Sequence, residues 1–121
     1  MRPSLKRSAR RSSLKTIRQV IPFIFLSFRG TVLTASFQVR RAINRGEVVV
    51  SQSRGVGTTA TPVIRYQFVN AVTGLPATNS VTVTGVRTVT LPFILPAGTF
   101  RLRITNIGAG AATVRGAILV F

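Results

Sequence analysis

The stretch Pro96–Phe121, PAGTFRLRITNIGAGAATVRGAILVF, decides the fold class. Pro96-Ala97-Gly98 reads as a turn. From Thr99 to Thr105 the chain alternates: Phe100, Leu102 and Ile104 face one way, and Thr99, Arg101, Arg103 and Thr105 face the other. A period of two predicts a strand with one buried face. Asn106 to Gly110 interrupts it with glycines that tolerate positive φ. Ala112–Phe121 then runs back with Val114, Ile118 and Val120 on one side. The pattern predicts a β-hairpin with a connection of about five to seven residues. Leu119 and Phe121 fall on the opposite side, so the last strand is apolar on both faces. Another layer of the same domain, or another subunit, has to cover the second face.

Working back along the chain, strands recur at short intervals. Thr31–Arg40 alternates through Leu33, Ala35, Phe37 and Val39. Gly46–Gln52 carries Val48-Val49-Val50, and Arg41–Arg45 before it is a basic connection. Pro62–Asn70 turns Ile64, Tyr66 and Phe68 inward. Ser80–Thr84 is short, and Val86–Leu95 contains Pro92, which marks an edge or a bulge. Thr and Val dominate, Gly and Pro punctuate, and no helical period appears in the body. The prediction is an all-β antiparallel β-sandwich of seven to eight strands, of jelly-roll type, with an N-terminal basic extension.

Composition narrows function. The 121 residues carry a formal net charge of +16, with Glu47 as the single acid. All cations but Lys6 and Lys15 are arginine. Mean hydropathy is nevertheless +0.39. Such a chain repels itself and seeks polyanions or acidic surfaces. With no His, Cys or Asp, the usual general acid–base pairs and metal-ligand sets cannot be assembled. Glu47 reads as a structural partner for an arginine. Gly55-Val56-Gly57 and Gly108-Ala109-Gly110 read as turns, since neither precedes a helix with a phosphate-loop signature. The expectation is a non-enzyme without catalytic residues, metal or cofactor.

Two N-terminal segments carry binding and assembly. Residues 1–19 form a basic arm with Arg2, Lys6, Arg7, Arg10, Arg11, Lys15 and Arg18, suited to a nucleic acid or an acidic anchor protein. Residues 20–30 form an apolar connector strand, VIPFIFLSFRG, and residues 31–121 the sandwich domain. In the connector Ile21, Phe23 and Phe25 share one face, and Ile24, Leu26 and Phe28 the other. Its nine-residue apolar run is too short to span a bilayer, and the arm is expected to be retained. A strand apolar on both sides suits insertion into a sandwich, its own or a neighbour's. In the second case Ile21, Phe23, Ile24, Phe25, Leu26 and Phe28 form an inter-subunit strand, and Leu119 and Phe121 line its acceptor groove. Ile21-Pro22-Phe23-Ile24 also echoes Leu91-Pro92-Phe93-Ile94, which suggests similar local geometry at both places.

The small Thr/Val sandwich, the PAGTFRLRITNIGAGAATVRGAI ending and the N-terminal connector together resemble β-sandwich subunits of Gram-positive endospore appendages. The likeness covers Val20–Phe121. It implies a homo-oligomeric fibre, head to tail or helical, on the spore surface or outside the cell, built by strand insertion into the next subunit. The chain departs from part of that family in having no Cys for inter-subunit disulfides and a far more basic arm. Those departures leave room for an alternative: a small viral capsid or nucleoprotein subunit, located in a virion, whose arm binds nucleic acid, although the body is short for a shell-forming jelly roll.

Overall fold

A computed structural model describes residues 16–121. The strands are β1 (Gln19–Phe28), β2 (Gly30–Leu33), β3 (Phe37–Val39), β4 (Asn44–Arg54), β5 (Val63–Asn70), β6 (Val81–Thr84), β7 (Arg87–Leu95), β8 (Gly98–Asn106) and β9 (Ala112–Val120). One sheet has the order β1-β9-β4-β7. The other has β2-β8-β5-β6, with β3 also on β8. Every pairing between strands is antiparallel. Taking β2 and β3 as one interrupted strand, the chain makes two four-stranded sheets in jelly-roll order. The sandwich predicted from alternation is therefore present, with nine strands because one is split.

The split has a local cause. Leu33 pairs with Arg103 and Phe37 with Phe100, so this strand spends one residue more than its partner. The extra residue is a bulge that reverses facing. Thr34 is buried and completes the ladder with its side chain: its N–H donates to Leu102 O at 3.1 Å, and its Oγ1 accepts from Leu102 N at 3.0 Å. Leu33 and Ala35, expected inside with Phe37 and Val39, are exposed.

The terminal hairpin is corrected. β8 lies in one sheet with β5, and β9 lies in the other between β1 and β4. Ile107–Ala111 crosses between the layers instead of folding a hairpin. Asn106 fastens the crossing: its Nδ2 donates to Phe28 O and Gly110 O, and its Oδ1 accepts from Gly108 N. Phe100, Leu102 and Ile104 on β8, and Val114, Ile118 and Val120 on β9, all lie in the common core. Both strands are apolar toward the other sheet, so burial stabilises facing layers as well as it would a ladder.

The connector is also corrected. β1 pairs with the β9 of its own chain, from Gln19↔Val120 to Phe28↔Ala112. The sandwich thus begins at Gln19, and the proposed acceptor position beside β9 is filled from within. The register shifts between Phe25 and Phe28, where Ser27 has a φ of 44°. That bulge turns Phe28 into the core beside Phe23, away from the Ile24–Leu26 face. Pro22 and Pro92 both sit on edge strands of this sheet, where a missing N–H is tolerated and further pairing is discouraged.

The two sheets meet through aromatic and aliphatic packing. Phe68 of β5 and Phe93 of β7 stand 4.5 Å apart across the layers. A polar link is buried with them. Tyr66 Oη donates to Gln52 Oε1 at 2.7 Å, and Gln52 Nε2 donates to Val83 O and Gly85 O at 3.1 and 2.9 Å. Burial holds the Tyr66 phenol well above its ordinary range. The unfolded phenol ionises near pH 10. Stability from this group is fully present below that pH and is lost as pH rises toward the folded value, by about 1.4 kcal/mol per pH unit. Tyr66→Phe should remove this alkaline loss. At neutral pH it should cost about 1–3 kcal/mol, because Gln52 Oε1 loses its donor. Urea unfolding at several pH values checks both.

Candidate nucleic-acid interface

One end of the sandwich gathers positive charge because of topology. β1 starts there, β9 ends there, and the turn from β3 to β4 closes it. Arg18 N–H donates to Val120 O at 2.6 Å, which fixes where the basic segment meets the body. Gln19 Nε2 donates to Gln38 O at 2.7 Å and ties β1 to the second sheet. Arg40 and Arg41 stand on the adjoining turn, and Arg45 follows on β4; all three are exposed.

Buried Asn44 sets that turn. Its Nδ2 donates to Arg41 O at 2.7 Å and Leu95 O at 3.1 Å, and its Oδ1 accepts from Arg41 N at 3.2 Å. Phe121 N–H donates to Arg45 O at 2.9 Å, so the chain's last residue flanks the same spot. Thr16, Arg18, Arg41, Ile43, Arg45 and Phe121 line a shallow open cleft. Fixed backbones with long guanidinium side chains suit phosphate, which accepts two parallel N–H bonds from each arginine. Aromatic stacking has little to offer. Tyr66 and most phenylalanines are in the core, and Phe25 and Phe121 are half-buried. The site can neutralise phosphates; it has few means to read bases.

A second basic surface lies on the outer face of the β2-β8-β5-β6 sheet. Arg101 and Arg103 of β8 are neighbours on this face between Thr99 and Thr105, and Arg65 pairs opposite Thr105. Arg103 Nη2 donates to Gln67 Oε1, and Thr31 and Thr105 share a hydroxyl hydrogen bond of 3.2 Å. These arginines belong to a Thr-rich sheet surface, spread over its strands.

Of the residues assigned from sequence, Arg2, Lys6, Arg7, Arg10, Arg11 and Lys15 lie outside the described residues. Arg18 is exposed at the basic end. Ile21, Phe23, Phe25 and Phe28 face the core, whereas Ile24 and Leu26 face solvent. Leu119 and Phe121 are half-buried on the outer surface of their sheet beside β1 and β4. The grouping of Arg40, Arg41 and Arg45 with Arg18 was not assigned from sequence. The basic connection was visible there, but its neighbour depends on register.

The fold is an all-β jelly-roll domain with Arg18, Arg40, Arg41 and Arg45 at one end and Arg29, Arg54 and Arg87 at the other. No helix among the described residues is long and apolar enough to cross a membrane. No protein-family model matches the chain, and no curated protein matches it. Among solved structures it is similar to a chain of the T13 IBDV viral particle, at 10% identity and a TM-score of 0.45. The likeness covers 88% of this chain and 32% of that one, so this chain spans about a third of the other's length.

Proposed function

We propose that this chain is a structural subunit that assembles on nucleic acid, as in a small viral capsid or another nucleoprotein particle. The observation that carries the reading is Arg18, through which the basic segment joins the body, lining one cleft with Arg41 and Arg45 at one end of a jelly-roll body, with exposed Arg40 next in sequence. A polyanion bound there neutralises the self-repulsion of a +16 chain and lets copies approach. Strand insertion into a neighbouring fibre subunit would require β1 to leave its place beside β9. That exchange would expose Phe23 and Phe28 before any partner covered them.

The test uses a fluorescent single-stranded RNA and a salt titration of its anisotropy. Changing Arg40, Arg41 and Arg45 together to Gln should flatten the log K against log salt slope by about 2, and weaken binding about 100-fold at 0.1 M salt. Arg65, Arg101 and Arg103 changed to Gln should leave the slope nearly unchanged. The reverse pattern would move the site to the open sheet face and refute the assignment to the basic end.

A further inference from the structure

The outer face of the β1-β9-β4-β7 sheet is uncovered and mixed: apolar along β1, with Glu47, Arg45, Arg115, Ser51, Thr88 and Thr90 among the outward residues of the other strands. Register places its outward residues in rows. Val20, Leu119, Glu47 and Pro92 form one; Pro22, Ala117, Val49 and Thr90 the next; Ile24, Arg115, Ser51 and Thr88 the third. Before the first row come Phe121, Arg45 and Ile94. Val20 is 55% exposed, Ile24 54%, Leu26 66% and Ile94 54%. Solvated sheet faces normally alternate polar-out. Here the opposite face of the molecule does so, with Thr and Arg.

The face has an internal near-twofold. The edge strands β1 and β7 run antiparallel to each other, since three antiparallel pairings separate them. A half-turn about a point between Leu119, Ala117, Glu47 and Val49 carries Pro92 onto Pro22, Ile94 onto Ile24, Leu119 onto Val49 and Arg45 onto Arg115. The echo of Ile21-Pro22-Phe23-Ile24 in Leu91-Pro92-Phe93-Ile94 is the sequence trace of this arrangement: proline and isoleucine outward, phenylalanine inward, on both edges.

We infer that this face packs against the same face of a second copy, about a twofold axis lying between the sheets and across the strands. The inference rests on the reading of the chain as a self-assembling subunit. That axis sets Val20 against Pro22 of the second copy and Leu119 against Ala117. Arg45 meets Ser51 and Arg115 meets Phe121, so neither stands directly opposite an arginine, although the second copy's Arg115 then borders the cleft of Arg18, Arg41 and Arg45. The Arg40/Arg41/Arg45 clusters of the two copies then lie at opposite ends, each on the side of the other copy's Arg29, Arg54 and Arg87. Four strands about 4.8 Å apart and four rows about 6.8 Å apart cover roughly 500 Å² per copy, or about 1,000 Å² in all, the lower bound for a specific interface. The prolines at both edges discourage growth by strand addition, so the face, rather than the rim, is the surface left for a copy.

Sedimentation of nuclease-treated full chain in high salt tests this without a polyanion. The expected species has twice the 13.0 kDa chain mass. Ile24→Glu with Ile94→Glu should weaken the dimer at least 100-fold. Leu33→Glu with Thr82→Glu makes the same charge change on the other sheet and should leave it intact. As a second reading, Ala117→Cys, near the axis in a chain without cysteine, should cross-link to its copy through a short bismaleimide, whereas Thr99→Cys should not. A monomeric wild type, or a dimer that survives the Ile24/Ile94 change, overturns the interface. Sedimentation is run without RNA, and RNA anisotropy of an Arg40/Arg41 variant, changed off this face, reports the basic end; Arg45 and Phe121 border both surfaces and are left unchanged in that pair of measurements.

Discussion

Deleting residues 2–18 is expected to lower affinity for single-stranded RNA by about five orders of magnitude at 0.1 M salt. The segment carries seven cations and no acid. Each phosphate neutralised on a single strand contributes about 0.7 to the log–log salt slope, so seven give a slope of about −5. At 0.1 M salt that slope is about five decades of affinity. β1 begins at Gln19, so the truncation leaves its ladder with β9 and, among the described residues, removes the Arg18 bond to Val120. Unfolding midpoint should therefore change little while binding collapses. Anisotropy titrations of both chains measure the slope directly. A truncated chain that keeps the full slope would show that the body binds without the arm.

Gly116→Ala is expected to destabilise the fold by about 3 kcal/mol or more, the upper end of overpacking penalties. A Cβ at Gly116 would lie 2.0 Å from Val49 O and 2.9 Å from Val50 Cα. Both are backbone atoms of β4, the adjacent central strand, and they cannot rotate away as a flexible side chain would. Separating β9 from β4 would break the ladder between the two inner strands of the sheet. Gly46→Ala should behave similarly, since its Cβ would meet Leu119 O at 2.2 Å and the Phe93 ring at 2.4 Å. The two glycines stand opposite Phe23 and Phe93, one on each flank, so the inward phenylalanines of both edge strands lie beside positions without side chains. Urea denaturation measures the loss. A change under about 0.5 kcal/mol would contradict the close approach of β4 and β9.

Which residues share a face was legible in the sequence where alternation is strict. Ile64, Tyr66 and Phe68 on β5, and Phe100, Leu102 and Ile104 on β8, are buried as their period predicts. Strand partners were not legible, because period two gives facing and says nothing of which neighbour completes the ladder. β8 and β9 read as a hairpin for that reason, although their apolar sides meet across two sheets. Bulges misled in the same way. Ser27 turns Phe28 inward, and the extra residue between Leu33 and Phe37 turns Leu33 outward. The two-sided apolar character of β1 and β9 was legible. Only register shows that their outward residues join those of β4 and β7 in one continuous face. For the site, the charge of the arm was plain in composition. Its junction with Arg40, Arg41 and Arg45 required β1 to be seated beside β9 and the turn held by Asn44.

The central claim, assembly on a polyanion through the basic end, is tested most directly by electron microscopy of the full chain mixed with single-stranded RNA, before and after nuclease and high salt. Regular particles that form with RNA, and dissolve into small species when it is digested and the salt raised, are the predicted result. Regular fibres that form without nucleic acid and survive both treatments would contradict it, and would return β1 to the role of a strand exchanged between subunits.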